Sequence, residues 1–155
     1  MMRILLAIGL TIIVWISAMM PVSAAIFSFA GDRPTNLGVT NGRLAPCPAT
    51  PNCVSSQATD DHQIAPLPYA GDATVAVAKL KQAIVALPGS AIITESDQYI
   101  YAEFTSKLMG FVDDVEFYLD DAARVIHVRS ASRLGESDLG VNAKRVEAIR
   151  TALAA

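Results

Sequence analysis

The chain reads as an α+β domain, a four-stranded antiparallel meander with an N-terminal and a C-terminal helix packed on one face. Three observations predict it. A helical apolar repeat occupies "GDATVAVAKLKQAIVALPGS", alternating apolar–polar segments follow between Ala91 and Arg133, and a second helical repeat closes the chain at Val146, Ile149 and Leu153. Elements of this kind bury their apolar faces most simply when both helices cover one side of an antiparallel sheet.

The first residues, "MMRILLAIGLTIIVWISAMMPVSAA", carry one charge at Arg3 and an apolar run from Ile4 to Met20. Pro21 breaks the run, and small residues follow at Ser23, Ala24 and Ala25, which is the grammar of an export signal over residues 1–24. The run also approaches spanning length, so an uncleaved anchor is the competing reading. No cysteine stands at the junction to take a lipid. Either reading places the remainder across a membrane, in a periplasmic or equivalent compartment, with membrane association through this segment only.

Without Arg3 the chain keeps 11 basic and 15 acidic residues, a net charge of −4. Nucleic-acid binding rests on Lys and Arg neutralising phosphates, so nucleic acid is not an expected partner. The 131 residues after Ala24 suffice for one domain with a real core. Residues 25–43 are expected to be an extended linker and 44–155 the domain, because Gly, Pro, Asn, Ser and Thr dominate "GDRPTNLGVTNGRLAPCPATPNCVSSQATDD".

Cys47 and Cys53 lie in "LAPCPATPNCVSS", stiffened by Pro46, Pro48 and Pro51. In an exported chain an even cysteine count within one loop reads as a disulfide. A reactive thiol or a metal ligand is the alternative. Zinc would need two more ligands at suitable spacing, and only His62 and His127 are on offer. No cofactor is expected.

The first helix should begin at Asp72 as N-cap, bury Val77, Leu80, Ile84 and Leu87, and end at Pro88-Gly89. "AIITE" and "QYIYAEFTS" then form a hairpin through Ser96-Asp97, with Ile100, Ala102 and Phe104 facing one way and Tyr99, Tyr101 and Glu103 the other. "FVDDVEFYLDDAARVIHVRSASR" forms a second, turning at Asp120 to Ala123. That turn sets Val115 opposite Val128 and Phe117 opposite Ile126 on the buried face. It sets Asp114 opposite Arg129 and Glu116 opposite His127 on a solvent-facing side shared with Tyr99, Tyr101 and Tyr118. The last helix is expected from Asp138 to Ala154.

On that helix Asp138, Asn142 and Arg145 share the stripe of Val146 and Ile149. Ser130 and Ser132 continue the inward strand face, Asp113 should lie opposite Ser130, and Arg133 leaves the strand nearby. The cluster is either a structural clasp, with Asp138 capping the helix and Arg145 paired to a carboxylate, or an anion pocket built on Arg133, Arg145 and helix N–H groups. His127 reads as a cross-strand partner, and a Cys53, His62, Asp61 constellation lacks defined geometry. The tyrosines are ordinary strand residues or a partner surface.

"PCPATPNCVSS", "GFVDDVEF" and "RSASRLGESDLGVNAKRVEAIR" resemble the family catalogued as domain of unknown function 1499, from about Leu44 to Ala152. The resemblance implies an exported, anchored or lipoprotein-type bacterial protein, with relatives in plastids and no established reaction, cofactor or catalytic residue. It marks Cys47, Cys53, Asp113, Asp114, Arg129, Ser130, Ser132, Arg133, Asp138, Asn142 and Arg145 as motif positions without assigning them chemistry. The inward polar cluster, with no credible nucleophile–base pair or metal set in the sequence, makes the expected function a non-enzymatic envelope domain that binds a small anionic ligand or a protein partner. A hydrolase-like enzyme using the cluster with Cys53, or a purely structural module, are the alternatives.

Overall fold

The computed structural model describes residues 29–154, and the segment predicted as signal or anchor, 1–24, lies outside the described residues. The strands are β1 (Cys53–Ser55), β2 (Leu67–Pro68), β3 (Ser90–Glu95), β4 (Tyr99–Thr105), β5 (Val112–Asp120) and β6 (Val125–Ser132). The helices are α1 (Ala73–Val85) between β2 and β3, and α2 (Val141–Ala154) after β6. The result is an α+β fold with a six-stranded sheet rather than a four-stranded one. β3 to β6 form the meander, and β1 and β2 both pair antiparallel with the outer edge of β6. Strands of three and two residues, one with a proline, are too short to show an alternation in sequence. Their effect is to cover an edge that would otherwise offer unpaired backbone groups.

α1 forms where the apolar spacing predicts. The Asp72 carboxylate accepts from Thr74 N at 2.7 Å and Val75 N at 3.2 Å, supplying partners to otherwise orphaned helix donors. Leu80 and Ile84 of α1, with Val146 and Ile149 of α2, pack on the sheet face made by Ile100, Ala102, Phe104, Val115, Phe117, Ile126 and Val128. Both helices thus cover one side.

The β5–β6 register differs from the expected one by two residues: Val115 pairs with Ser130, Phe117 with Val128 and Asp113 with Ser132. The turn occupies residues 121–124, one position later than expected. Ala123 N donates to Asp120 Oδ1 at 3.0 Å, and Arg124 takes the left-handed backbone at φ 57°. Arg124 is held there by Asp121 at 3.2 Å and by stacking 4.8 Å over the Tyr69 ring. Because the shift is even, side chains keep their faces.

The face expected to meet solvent is covered. Residues 29–46 lie along it: Phe29 N donates to Met109 O at 3.2 Å, Gly38 N to Glu116 Oε1 at 2.7 Å, and Leu44 is buried. Tyr101, Asp114, Glu116 and Arg129 are buried beneath this arm.

At the α1–β3 junction Gly89 has φ +75°, and a Cβ there would stand 2.2 Å from the Thr105 carbonyl oxygen. Thr105 N in turn donates to Gly89 O at 2.9 Å, so neither backbone can retreat cheaply. Gly89→Ala should therefore cost more than about 2 kcal/mol, combining left-handed strain with the clash. Urea unfolding will read this as a lowered midpoint, and an unchanged midpoint would show that the junction yields.

Candidate functional site

Strand alternation divides the predicted site residues between two sheet faces at the end where β6 leaves the sheet. On the helix face Asp113, Ser130, Ser132, Asn142 and Arg145 converge as their periodicities require. Asn142 is completely buried and fully satisfied. Its Oδ1 accepts from Ser130 Oγ at 2.6 Å and Arg145 Nη1 at 2.6 Å, while its Nδ2 donates to Ser132 Oγ at 3.0 Å and the Asn52 carbonyl at 3.1 Å. A primary amide has two donors and two acceptor sites, and all four are used. Arg145 Nη1 also donates to Ser130 Oγ at 3.0 Å, Nη2 pairs with Asp113 Oδ2, and the guanidinium lies 4.7 Å over the Phe104 ring.

Asp138 does not lie within α2. Leu139 and Gly140 are both left-handed, at φ 54° and 78°, so the helix starts at Val141, three residues later than expected. The Asp138 carboxylate caps it instead, accepting from Gly140 N at 3.0 Å and Asn142 N at 2.7 Å. Burial pushes this carboxyl upward, but the N–H groups of Asn142 and Gly140 outweigh it and hold the group below the usual carboxylate range.

Arg133 and Arg129 belong to the opposite face, so Arg133 and Arg145 do not share a pocket. Arg133 grips Asp114 through Nε at 2.9 Å and Nη2 at 2.7 Å, and its Nη2 also reaches the Tyr101 hydroxyl at 3.2 Å and Glu103. The Tyr101 hydroxyl lies 2.6 Å from Asp114 Oδ1 and 2.9 Å from Glu103 Oε1. Arg33 of the arm closes the group on Glu103 at 2.7 Å. Arg129 pairs with Glu116 rather than Asp114, as the shifted register dictates, at 3.4 Å. Its Nε is buried without a partner. Burial, then the Glu116 carboxylate, raises the Tyr99 hydroxyl pKa; burial, then hydrogen bonds to Asp114 and Glu103, raises that of Tyr101. Glu103 is pushed upward by burial but lowered on balance by Arg33, Tyr101 and Arg133.

Cys47 and Cys53 are joined by a disulfide, so Cys53 offers no thiolate and the hydrolase reading loses its nucleophile. His62 is tied to Asp60 Oδ1 at 3.0 Å and Thr50 O at 3.2 Å; those bonds raise its pKa. His127 faces Tyr118 rather than Glu116, stacks on that ring at 6.1 Å, and is lowered mainly by burial. Its Nδ1 meets Ser56 Oγ at 3.2 Å, yet the Asp120 carboxylate is 3.9 Å from Nε2, too long for an orienting hydrogen bond. Among the described residues no group of three or more His, Cys, Asp and Glu side chains is arranged to hold a metal.

With this arrangement in view the sequence match becomes informative, since residues 43–153 match the family described as Protein of unknown function (DUF1499). The chain belongs to that family. No curated protein matches it. The DUF1499 match spans the cysteine loop, the whole sheet, α1 and nearly all of α2, so the Asn142 network falls inside it, while the arm residues Arg33 and Gly38 of the other network lie before it.

Asn52 is the site residue that the sequence did not disclose. It sits between Pro51 and Cys53, its Nδ2 donates to Gly135 O at 2.6 Å, and its carbonyl accepts from Ser132 N at 2.9 Å besides Asn142. Beside the clasp runs a groove of about 710 Å³. Leu87, Pro88, Phe104 and Val141 wall it, with Lys107, Lys144 and Arg145 among its lining.

Asn142→Ala strands groups on Ser130, Ser132, Asn52 and Arg145 together, at a cost of about 3 kcal/mol or more. The check is a fall in urea midpoint with unchanged slope. Acid should act through Asp138 and Glu103, whose folded pKa values are depressed. Their contribution is complete above their unfolded values near about 4 and is lost as pH falls through the lower folded ones. Thermal midpoints measured against pH should therefore hold to about pH 4 and then drop, with Asp138→Asn reducing the acid slope. An identical slope in that variant would remove Asp138 from the account.

Proposed function

We propose that this DUF1499 chain is an exported, non-enzymatic binding domain, and that the groove beside the clasp takes a small ligand with an anionic head and an apolar body. The observation that carries this reading is the distribution of positive charge. Arg133 and Arg145 are neutralised by buried carboxylates, whereas Lys107 and Lys144 line an apolar groove and enter no ion pair among the described residues. A buried arginine already bonded to Asp113 and Ser130 gains little from a further anion. An exposed lysine beside apolar walls can place its ammonium on an anionic head while its stem covers the ligand's body.

The nucleophile and base candidates considered from the sequence do not meet in this groove. Cys53 is in a disulfide, Ser130 is committed to Asn142 and Arg145, and neither Ser56 nor His127 lines the groove. A purely structural role for the two networks is compatible with this reading, since the clasp then shapes one groove wall by fixing Val141, Lys144 and Arg145.

Titration calorimetry with dodecanoate as probe tests the proposal. Saturable binding is expected, weakened about fivefold by Lys107→Ala and again by Lys144→Ala, the loss of one partly exposed charge contact each. No saturable heat, or binding indifferent to both lysines, would overturn it.

A further inference from the structure

Seven of the large exposed apolar side chains gather at one end of the domain: Phe29, Val85, Leu108, Phe111, Leu134, Leu139 and Val141. The topology brings them together, because the end of α1, the β4–β5 turn, the end of β6 and the start of α2 all lie at that end. Leu108 at the tip of the β4–β5 turn is 62% exposed, and Leu139 before α2 is 85% exposed. Leu139 is held out on a left-handed backbone at φ 54°, a conformation that costs energy for a bulky residue and shelters nothing here. Lys107 and Lys144 flank these leucines, with Glu136 as an exposed carboxylate in the intervening loop.

The far end is acidic on balance, since Lys81 and Arg124 there pair with only two of its carboxylates, Glu95 and Asp121. Asp72, Glu95, Asp97, Asp120 and Asp121 stand around the start of α1 and the β3–β4 and β5–β6 turns. The chain enters the described structure at the apolar end, where Phe29 stacks on Phe111 at 5.4 Å. Eight residues separate Phe29 from Met20, the last of the apolar N-terminal run. However they run, eight residues reach at most roughly 30 Å. With that run in a bilayer, the leucine-bearing end is therefore the one within reach of the surface, and the acidic end points away.

We infer that this end is a membrane-docking surface, in which Leu108, Leu139 and Val141 enter the interface of a bilayer carrying anionic lipid while Lys107 and Lys144 meet its headgroups. Apolar side chains flanked by lysines are the composition that an anionic interface binds, through buried apolar area together with attraction to the headgroups. The carboxylates at the far end would be repelled by the same surface, which fixes the orientation.

The test uses the full chain in vesicles of phosphatidylcholine mixed with phosphatidylglycerol, and in phosphatidylcholine alone. The chain has two cysteines, both in the disulfide, so Leu108→Cys or Asp97→Cys introduces a single free thiol for an environment-sensitive fluorophore. Acyl-chain spin labels should quench the fluorophore at position 108 and leave the one at 97 untouched. Quenching at 108 should be stronger with phosphatidylglycerol, and Lys107→Ala or Lys144→Ala should each lower the docked-to-undocked ratio about fivefold. Leu139→Ser added to Leu108→Cys should weaken quenching while leaving dodecanoate binding unchanged, because neither leucine lines the groove. That separates failure of docking from failure of the groove. An unquenched label at 108, as expected if the leucines serve a soluble partner instead, overturns the proposal, and so does equal quenching at both positions.

Discussion

The Asn142 amide receives Ser130 and Arg145 on its oxygen and gives its two protons to Ser132 and the Asn52 carbonyl. Four segments meet at this one side chain: the cysteine loop, β6, α2 and, through Arg145, β5. Each would otherwise bury a polar group, and a buried unpaired donor or acceptor costs on the order of 1–3 kcal/mol. The amide accepts only one relative placement of its neighbours, so α2 has one docking angle and one axial position. Generic apolar packing of Val146 and Ile149 would tolerate several. The groove exists because of that choice, since Val141, Lys144 and Arg145 are set on its wall by the same helix.

The opposite face reaches a comparable end at higher electrostatic cost. Asp114 and Glu116 are buried on successive steps of the arm-covered face of β5, and removing such charges from water is unfavourable unless opposite charges and hydrogen bonds compensate. Arg133 answers Asp114 with two nitrogens, and Glu116 draws on Arg129, Tyr99 and the Gly38 backbone. The Gly38 bond and Arg33–Glu103 draw the arm across the sheet. The desolvation of Glu116 and the ordering of residues 29–46 are thus coupled, because one of its partners, the Gly38 N–H, arrives only with the arm, whereas Asp114 is satisfied by Arg133 and Tyr101 from the sheet itself.

The sequence revealed faces more reliably than partners. Alternation placed Val115, Phe117, Ile126 and Val128 in the core, and helical periodicity aimed Asn142 and Arg145 at the serine-bearing strand. Both are short-range consequences of backbone geometry. Register was harder, because a four-residue turn at 120–123 or 121–124 suits the same pattern. The deciding fact was Arg124 in a left-handed conformation, secured by Asp121 within the turn and by Tyr69 from a distant segment. The same alternation assigns Arg133 to the face of Arg129 and Ala131, so its separation from Arg145 was legible once parity was followed past the strand end. Burial of that face was not legible. It depends on an arm whose Gly- and Pro-rich composition shows no period, and on β1 and β2, which are too short to display one.

The cysteine loop shows how a weak constraint acquires structural weight. Closing six residues of separation removes little chain entropy, particularly where Pro48 and Pro51 already restrict the unfolded segment. The position of the closure matters more. Asn52 immediately precedes Cys53, and its side chain and carbonyl together bond Gly135, Ser132 and Asn142. Cys53 itself pairs with Ala131 in the sheet, so the disulfide joins the far side of the loop to an edge strand at the point where the clasp begins. A loop free to swing would withdraw the Asn52 carbonyl and leave Asn142 Nδ2 with one acceptor. The bond therefore contributes chiefly by keeping a polar partner in place for a residue that has no other supply of it.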